Sequence, residues 1–390
     1  MNLYSASNQW ATRPDDQRFW TLQEMLEATR RFRESAREAV IPVRSLQVIG
    51  TDGGDLEIVG QAKIPARMTH WGFGQLARYA GAPADYLRTL PAKLAASNVN
   101  YGIQKKGETD KANLLLHSNG SLVMRSITTD SYSRIWDCDV IDRMTGLETF
   151  GWRVPPARPC RSGQAGSRKA TEQDVLESKS GGGGLSVKVG DMIAPAGLYA
   201  SDHDCFVFMV NEKHRIADGS PEGLSRGFFL HNSEVANGKA LKVTCFLYRH
   251  VCGNHIVWDA SDVNEIKVVH RGSADRRFRE KLRVELRSYA EGKASEDEAR
   301  IVAAQKVILG ANKEEVLDTL FKKLRGELPQ KTMELSYDQA EDDAQFDKTI
   351  NPRSVWGVVQ GMTAYSRNVP FADDRNRIDR AAGKVMKMAF

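Results

Sequence analysis

With 390 residues, 41% hydrophobic and 27% charged, the chain can hold two or three domains and has the composition of a folded globular protein, which excludes a peptide scaffold, a disordered tail and a fibre. Its formal charge of +5, from 55 basic and 50 acidic residues, names no partner. No apolar run of about 18 residues could cross a bilayer, the N-terminal stretch lacks a signal-peptide layout, and five scattered cysteines (Cys138, Cys160, Cys205, Cys245, Cys252) suit reduced thiols, so a cytoplasmic protein is expected.

Leu22, Met25, Leu26, Phe32, Ala36 and Val40 recur at helical spacing and predict a helix over Thr21 to Val40, stopped by Pro42. SLQVIG and LEIVGQA, separated by Thr51-Asp52-Gly53-Gly54, predict a hairpin. Phe73 to Tyr79 and Pro83 to Leu90 read as two short helices around Gly81-Ala82. Three strands are expected next, at 99–106, 113–118 and 121–129, followed by a helix at about 137–146. Cys160 to Gly184, poor in large apolar residues and ending in four glycines, reads as a mobile loop or linker. DCFVFMVN, RGFFLHN, ALKVTCFLYRHV and NEIKVVHR form a second β-rich block. A helical tail follows, marked by Phe278, Leu282, Leu286 and Tyr289, then Ile301 to Leu309, then Val316 to Leu324. An acidic loop, Glu334 to Asp347, with six carboxylates and no Lys or Arg, precedes a last helical pair at 353–367 and 373–388.

The expected class is α+β: two antiparallel β-rich blocks with flanking helices and a helical C-terminal region. The expected divisions are 1–98, helices and hairpin; 99–159, meander plus helix; 160–184, linker; 185–271, second β block; and 272–390, helical region with the 334–347 loop.

No phosphate-binding glycine motif is present, since Gly181 to Gly184 precedes a strand, and HExxH and GxSxG are absent. Six of eight histidines lie between His203 and His270, and Cys245, His250, Cys252 and His255 fall within eleven residues. Strand alternation would separate Cys245 from His250 and Cys252, so no metal and no cofactor is expected. His203 between Asp202 and Asp204 has the makings of an oriented general base, but a polar loop leading into the next strand explains it more cheaply. Phe73, Ala77, Gly81 and Leu87 have helix-turn-helix spacing, although Pro91 truncates the second helix. The stronger electrostatic signal is Lys267 to Lys293, nine basic residues against four acidic. There Arg276, Arg279 and Arg283 share a helical stripe with Arg277 and Lys281 nearby, a pattern able to follow a phosphate backbone.

KHRIADGSPEGLSRGFFLHNS, LKVTCFLYRHVCGN and EIKVVHRGS, with SITTDSYSRIWDCDVIDRM before and NPRSVWGVVQGMTAYSRNVP after, resemble the phage- and plasmid-encoded family of proteins whose shared domain has no assigned function. The family's His-Asp-Gly-Ser run corresponds to Ala217, Asp218, Gly219 and Ser220, its cysteine-bearing strand to Cys245, and its Arg-His step to His270 and Arg271. The resemblance implies mobile-element biology without a known reaction. The order of three strands and a helix is also similar to the core of the eukaryotic-type strand-annealing proteins. The expected role is therefore non-enzymatic DNA binding in replication or recombination, with single strands favoured. Lys105, Lys106, Arg125, Arg271, Arg276, Arg277, Arg279, Lys281 and Arg283 would meet phosphates, and Tyr101 and Tyr132 would stack on bases. Self-association and a host or phage protein are further expected partners. The alternatives are a protein-binding modulator of a host system and, third, a metal-dependent hydrolase.

Overall fold

Thr21 accepts a hydrogen bond from Glu24 N and so starts the first helix, α1 (Leu22–Glu34), which buries Leu22, Met25, Leu26 and Thr29. The computed structural model describes residues 14–390 except 61–63, 161–165, 181–186, 196, 237–240, 250–253, 257–265, 269–281, 283 and 370–371. β1 (Arg18–Phe19) precedes α1, and the chain leaves the helix at Ser35 for β2 (Ala36–Pro42). The expected helix to Val40 is thus six residues too long. Ala36 and Val40 belong to a strand because seven consecutive residues, Ala36↔His117 through Pro42↔Lys111, pair with a distant strand, and such tertiary pairing overrides local periodicity.

The expected hairpin is present as β3 (Gln47–Gly50) and β4 (Leu56–Val59), closed by Thr51 N to Asp55 O at 2.9 Å. Next come β5 (Pro65–Met68), α2 (His70–Ala80), α3 (Ala84–Thr89), α4 (Ala92–Gln104), β6 (Lys111–Asn119) and β7 (Ser121–Thr129). Gly81 ends α2 at φ 72°, a left-handed conformation that suits glycine. The strand expected at 99–106 is a correction: those residues finish α4. Ala92, Ala95, Ala96, Val99 and Ile103 form its buried stripe, and a Cβ on Gly102 would lie 2.0 Å from Ala80 O, so glycine lets α4 press on the end of α2. The meander is therefore two strands, and the expected likeness in element order to strand-annealing cores is lost.

These strands form one sheet in the order β2-β6-β7-β5-β4-β3, with β5 and β7 parallel. Its two edges differ. Asn100 of α4 plugs the β3 edge, its Oδ1 accepting from Val48 N and its Nδ2 donating to Val48 O, both at 2.7 Å. At β2, Ser35 O and Val43 N bond inward across to Ser118 and Asp110, which places the backbone groups of Ala36, Glu38 and Val40 outward.

After α5 (Asp137–Thr145) come the short strands β8 (Trp152–Arg153), β9 (Arg158–Pro159) and β10 (Arg168–Lys169), then α6 (Glu172–Ser180) and β11 (Met192–Ala194). The stretch expected as a linker thus holds a strand and a helix. β10 pairs with β11, and Arg168 grips Asp174 with two hydrogen bonds of 2.6 and 2.7 Å. The second large sheet uses β12 (Leu198–Ala200), β13 (Cys205–Ile216), β14 (Leu224–Asn232), β15 (Leu241–Arg249), β16 (Asn254–Ile256) and β17 (Ile266–Val268). Its order is β1-β12-β13-β14-β15-β16, with β17 on β15 and β8 on β13. Val207, Met209, Phe228, Leu230, Val243 and Cys245 face α1, α5 and the helical residues 284–290; Phe206, Phe208, Phe229, Phe246 and Tyr248 form the opposite face.

The C-terminal helices are α7 (Ala294–Lys306), α8 (Lys313–Lys323), α9 (Gln330–Phe346), α10 (Val355–Ser366) and α11 (Ala372–Met386). The acidic stretch expected as a loop lies on α9, because Met333, Ser336, Tyr337 and Ala340 recur at helical spacing and bury one face while carboxylates occupy the other. Arg226 on β14 ties this bundle to the sheet through Asp297, a buried ion pair at 2.5 Å. The class is α+β with a helical C-terminal region, and no described helix is long and apolar enough to cross a membrane.

Candidate functional site

Tyr101, Lys105 and Lys106 come together at the end of α4. Tyr101 is 67% exposed, and Lys105 Nζ stands 4.2 Å from the centre of its ring. The Lys105 ammonium beside the ring holds the Tyr101 hydroxyl below its ordinary value. Arg44 donates through Nε to Lys106 O at 2.5 Å, bringing a further guanidinium to the same end. Tyr86 of α3 and Leu94 of α4 are exposed as well, so the helical pair offers an apolar and basic surface.

Arg125 and Tyr132 are not surface groups. Ser126 pairs with Leu115 and Met124 with Leu116, leaving Arg125 as the extra residue of a β-bulge; a bulge re-aims a side chain out of the regular alternation. The guanidinium, 3% exposed, pairs with Glu234 at 2.9 Å, meets His117 Nε2 at 2.9 Å and donates through both Nε and Nη2 to Asp202 O. Burial, and then the charges of Arg125 and Arg134, push the His117 imidazole down to about 3, so it is neutral at pH 7. Glu234 also accepts from Asp137 N at 2.9 Å, and burial beside this carboxylate holds Asp137 well above the usual carboxylate range. Tyr132 donates to Ser233 O at 3.1 Å, and burial raises its phenol. Trp71 and Gln75 of α2 reach the same loop, donating to Val235 O at 3.1 and 2.6 Å. Together these groups join the six-stranded sheet to the larger one, a structural task that phosphate contact would disrupt.

The other sequence candidates resolve as turns and core. Ser220 donates from both N and Oγ to Asp218 Oδ1, Gly219 has φ 88°, and Gln305 holds Asp218 O at 2.7 Å, so this run shapes the turn into β14. His203 Nδ1 meets both Asp202 Oδ1 and Ser201 Oγ, and Ser201 Oγ donates to Asp204 Oδ1 at 2.5 Å; the hydroxyl is thus committed to a carboxylate and unsuited to attack. Cys245 is buried and its thiol raised by desolvation. His255 lies in register opposite Tyr248. No described group of three or more His, Cys, Asp or Glu is placed to hold a metal. α2 and α3 do form the expected helix pair, but α3 has six residues, and Arg88 is engaged by Asp85 and His70 O. His250, Cys252, His270, Arg271, Arg276, Arg277, Arg279, Lys281 and Arg283 lie outside the described residues.

Sequence reasoning missed Glu234, His117 and Asp137 as partners of Arg125. The available signal was a charge or imidazole inside otherwise apolar strand runs, NLLLHS and SLVMRSITT. No family model, curated protein or solved structure matches the chain.

Proposed function

We propose that this chain is a mobile-element protein that binds single-stranded DNA without catalysis, in replication or recombination, as a binding or annealing factor. What supports the reading is the exposed Tyr101 ring with Lys105 4.2 Å above it and Lys106 beside it. Single-strand binders combine a sequence-tolerant stacking ring with cations that track the backbone. The basic run Arg271 to Arg283 would add phosphate contacts. Fluorescence anisotropy with a labelled oligodeoxynucleotide tests this on the full chain. Tyr101→Ala should cost about 1–3 kcal/mol of binding. Lys105→Ala with Lys106→Ala should lower the slope of log affinity against log salt by about 1.4. Absence of binding at low salt sinks the reading.

A protein-binding modulator is the second reading, favoured by Phe346, which is 89% exposed at the end of α9 beside the exposed carboxylates Glu341 and Asp342. Its signature would be a partner lost on Phe346→Ser, with oligonucleotide binding absent or unchanged.

A further inference from the structure

We propose that β2 pairs antiparallel with β2 of a second copy of this chain, about a two-fold axis at Ala39, so that two six-stranded sheets become one. This surface lies apart from the end of α4 on which the nucleic-acid reading rests. β2 is a terminal strand of its sheet, and among the described residues no strand pairs with its outer side. On the inner side Ala36 through Pro42 stay in unbroken register with β6. Because Ser35 and Val43 bond inward, so do Arg37, Ala39 and Ile41, and the N–H and C=O groups of Ala36, Glu38 and Val40 point outward. Such a row templates another strand, and proteins that guard against pairing interrupt it with a lysine, a bulge or a proline. β2 has no lysine and no bulge, and its proline stands last. Val40 is 55% exposed, and Arg37 and Glu38 are exposed beside it.

The register that satisfies both copies identifies the occupant. Outward groups must meet outward groups, so even-numbered residues pair with even-numbered ones. With Ala39 on the axis, the N–H groups of Ala36, Glu38 and Val40 in each copy reach the C=O groups of Pro42, Val40 and Glu38 in the other. Every outward donor of the strand is matched, and the N–H that Pro42 lacks costs only the bond to Ala36 C=O. Ala39 faces Ala39 in a closely spaced pair, where a small side chain fits. The same alternation sets Arg37 against Ile41 and Glu38 against Val40, so no like charges meet. Glu38 is neutralised within its own copy by Arg134 at 2.9 Å and brings no unpaired charge to the seam. Placing Glu38 on the axis instead would set two carboxylates opposite one another, and moving the axis toward Pro42 would leave Ala36 N–H unmatched. The row is its own complement, which assigns the edge to a second copy and not to a foreign strand.

The test is sedimentation velocity on the full chain freed of nucleic acid. Between about 1 and 200 µM it should show a reversible monomer–dimer step, because one strand pair buries less area than a permanent interface. Val40→Glu sets like charges opposite one another at two symmetric places and should raise the dissociation constant about tenfold, whereas Val40→Lys meets Glu38 there and should leave it unchanged or lower it. Ala39→Cys should give a covalent dimer on mild oxidation that the wild type, with its own cysteines, does not, since the Cα atoms of such a pair stand about 4.5 Å apart, within disulfide reach. A monomer at every concentration overturns the proposal. So does equal weakening by Val40→Glu and Val40→Lys, a dimer that Val40→Glu leaves as tight as the wild type, or an Ala39→Cys variant that cross-links no more than the wild type. Tyr101→Ala should weaken oligonucleotide binding and leave the dimer intact, so the two readings fail separately.

Discussion

The two large sheets treat their second faces in opposite ways. The eight-stranded sheet is buried on both: all nine residues of β14 are buried, with Phe228 and Leu230 in one apolar cluster and Phe229 in another. The six-stranded sheet gives one face to α2 and α4 and fills the other with Arg125, His117, Asn113, Ser126 and Thr128. Apolar burial is tolerant of direction, whereas a buried charge demands a particular partner. The first sheet is therefore held by contact area and the second by matching.

The largest effects should separate these two modes. Phe228→Ala, which removes a ring set edge-on to Trp152 at 4.8 Å, should cost about 3–5 kcal/mol in urea unfolding. Glu234→Ala should cost a similar 3–5 kcal/mol, because Arg125 is left buried and unpaired. The difference lies in rescue. Arg125→Met combined with Glu234→Gln removes the charge and keeps an acceptor for Asp137 N, so the pair should be more stable than Glu234→Ala alone. If the double variant is no better, the junction is held by packing, and the contrast between the sheets fails.

Acidity sharpens the comparison. His117 is depressed to about 3 in the fold, so between that value and its unfolded value near 6.5 the unfolded chain binds the extra proton, and stability falls as pH falls. Asp379 of α11, buried against Ser366, is raised from 3.8 to about 6. There the folded chain binds the extra proton, and stability falls as pH rises through that window. The two slopes oppose each other between about pH 4 and 6, each near 1.4 kcal/mol per pH unit. Asp379→Asn should therefore gain on the wild type as pH rises through this window, and His117→Gln should gain on it as pH falls. Parallel profiles for all three proteins would remove both assignments.

The smallest effects belong to the edges. Asn100→Ala frees the Val48 backbone groups and should cost about 1 kcal/mol by denaturant unfolding. Val40→Thr on the exposed opposite edge should change stability by less than about 0.5 kcal/mol.

What the sequence disclosed follows the same division. Strands with a local turn or an unbroken apolar run were readable: the β3–β4 hairpin, β6 with β7, and β13 to β15. Helices with an apolar stripe, such as α8 and α10, were readable too. VNYGIQ misled because Val99, Tyr101 and Ile103 alternate like a strand, while the alanines before them carry the helical stripe. The 334–347 carboxylates masked a second stripe of only four residues. The junction was illegible for another reason. Arg125 meets Glu234 across 109 positions, and the bulge that aims it depends on register with β6, which no local window contains. Of the surface candidates, Tyr101 lies on α4 and Lys105 and Lys106 just past its end, where a meander strand was expected.

Because odd-numbered residues of β2 bond inward to β6, Pro42 falls on an outward rung, where its missing N–H costs the sheet nothing and ends the row of free donors. With Asn100 closing the far side, the sheet can be lengthened from one side alone. Two such molecules could meet edge to edge, but neither would offer a second open side to a third. A strand added at β2 meets a row that Pro42 ends, while the described far edge is plugged at Val48 by Asn100, which disfavours fibril-like stacking through this sheet.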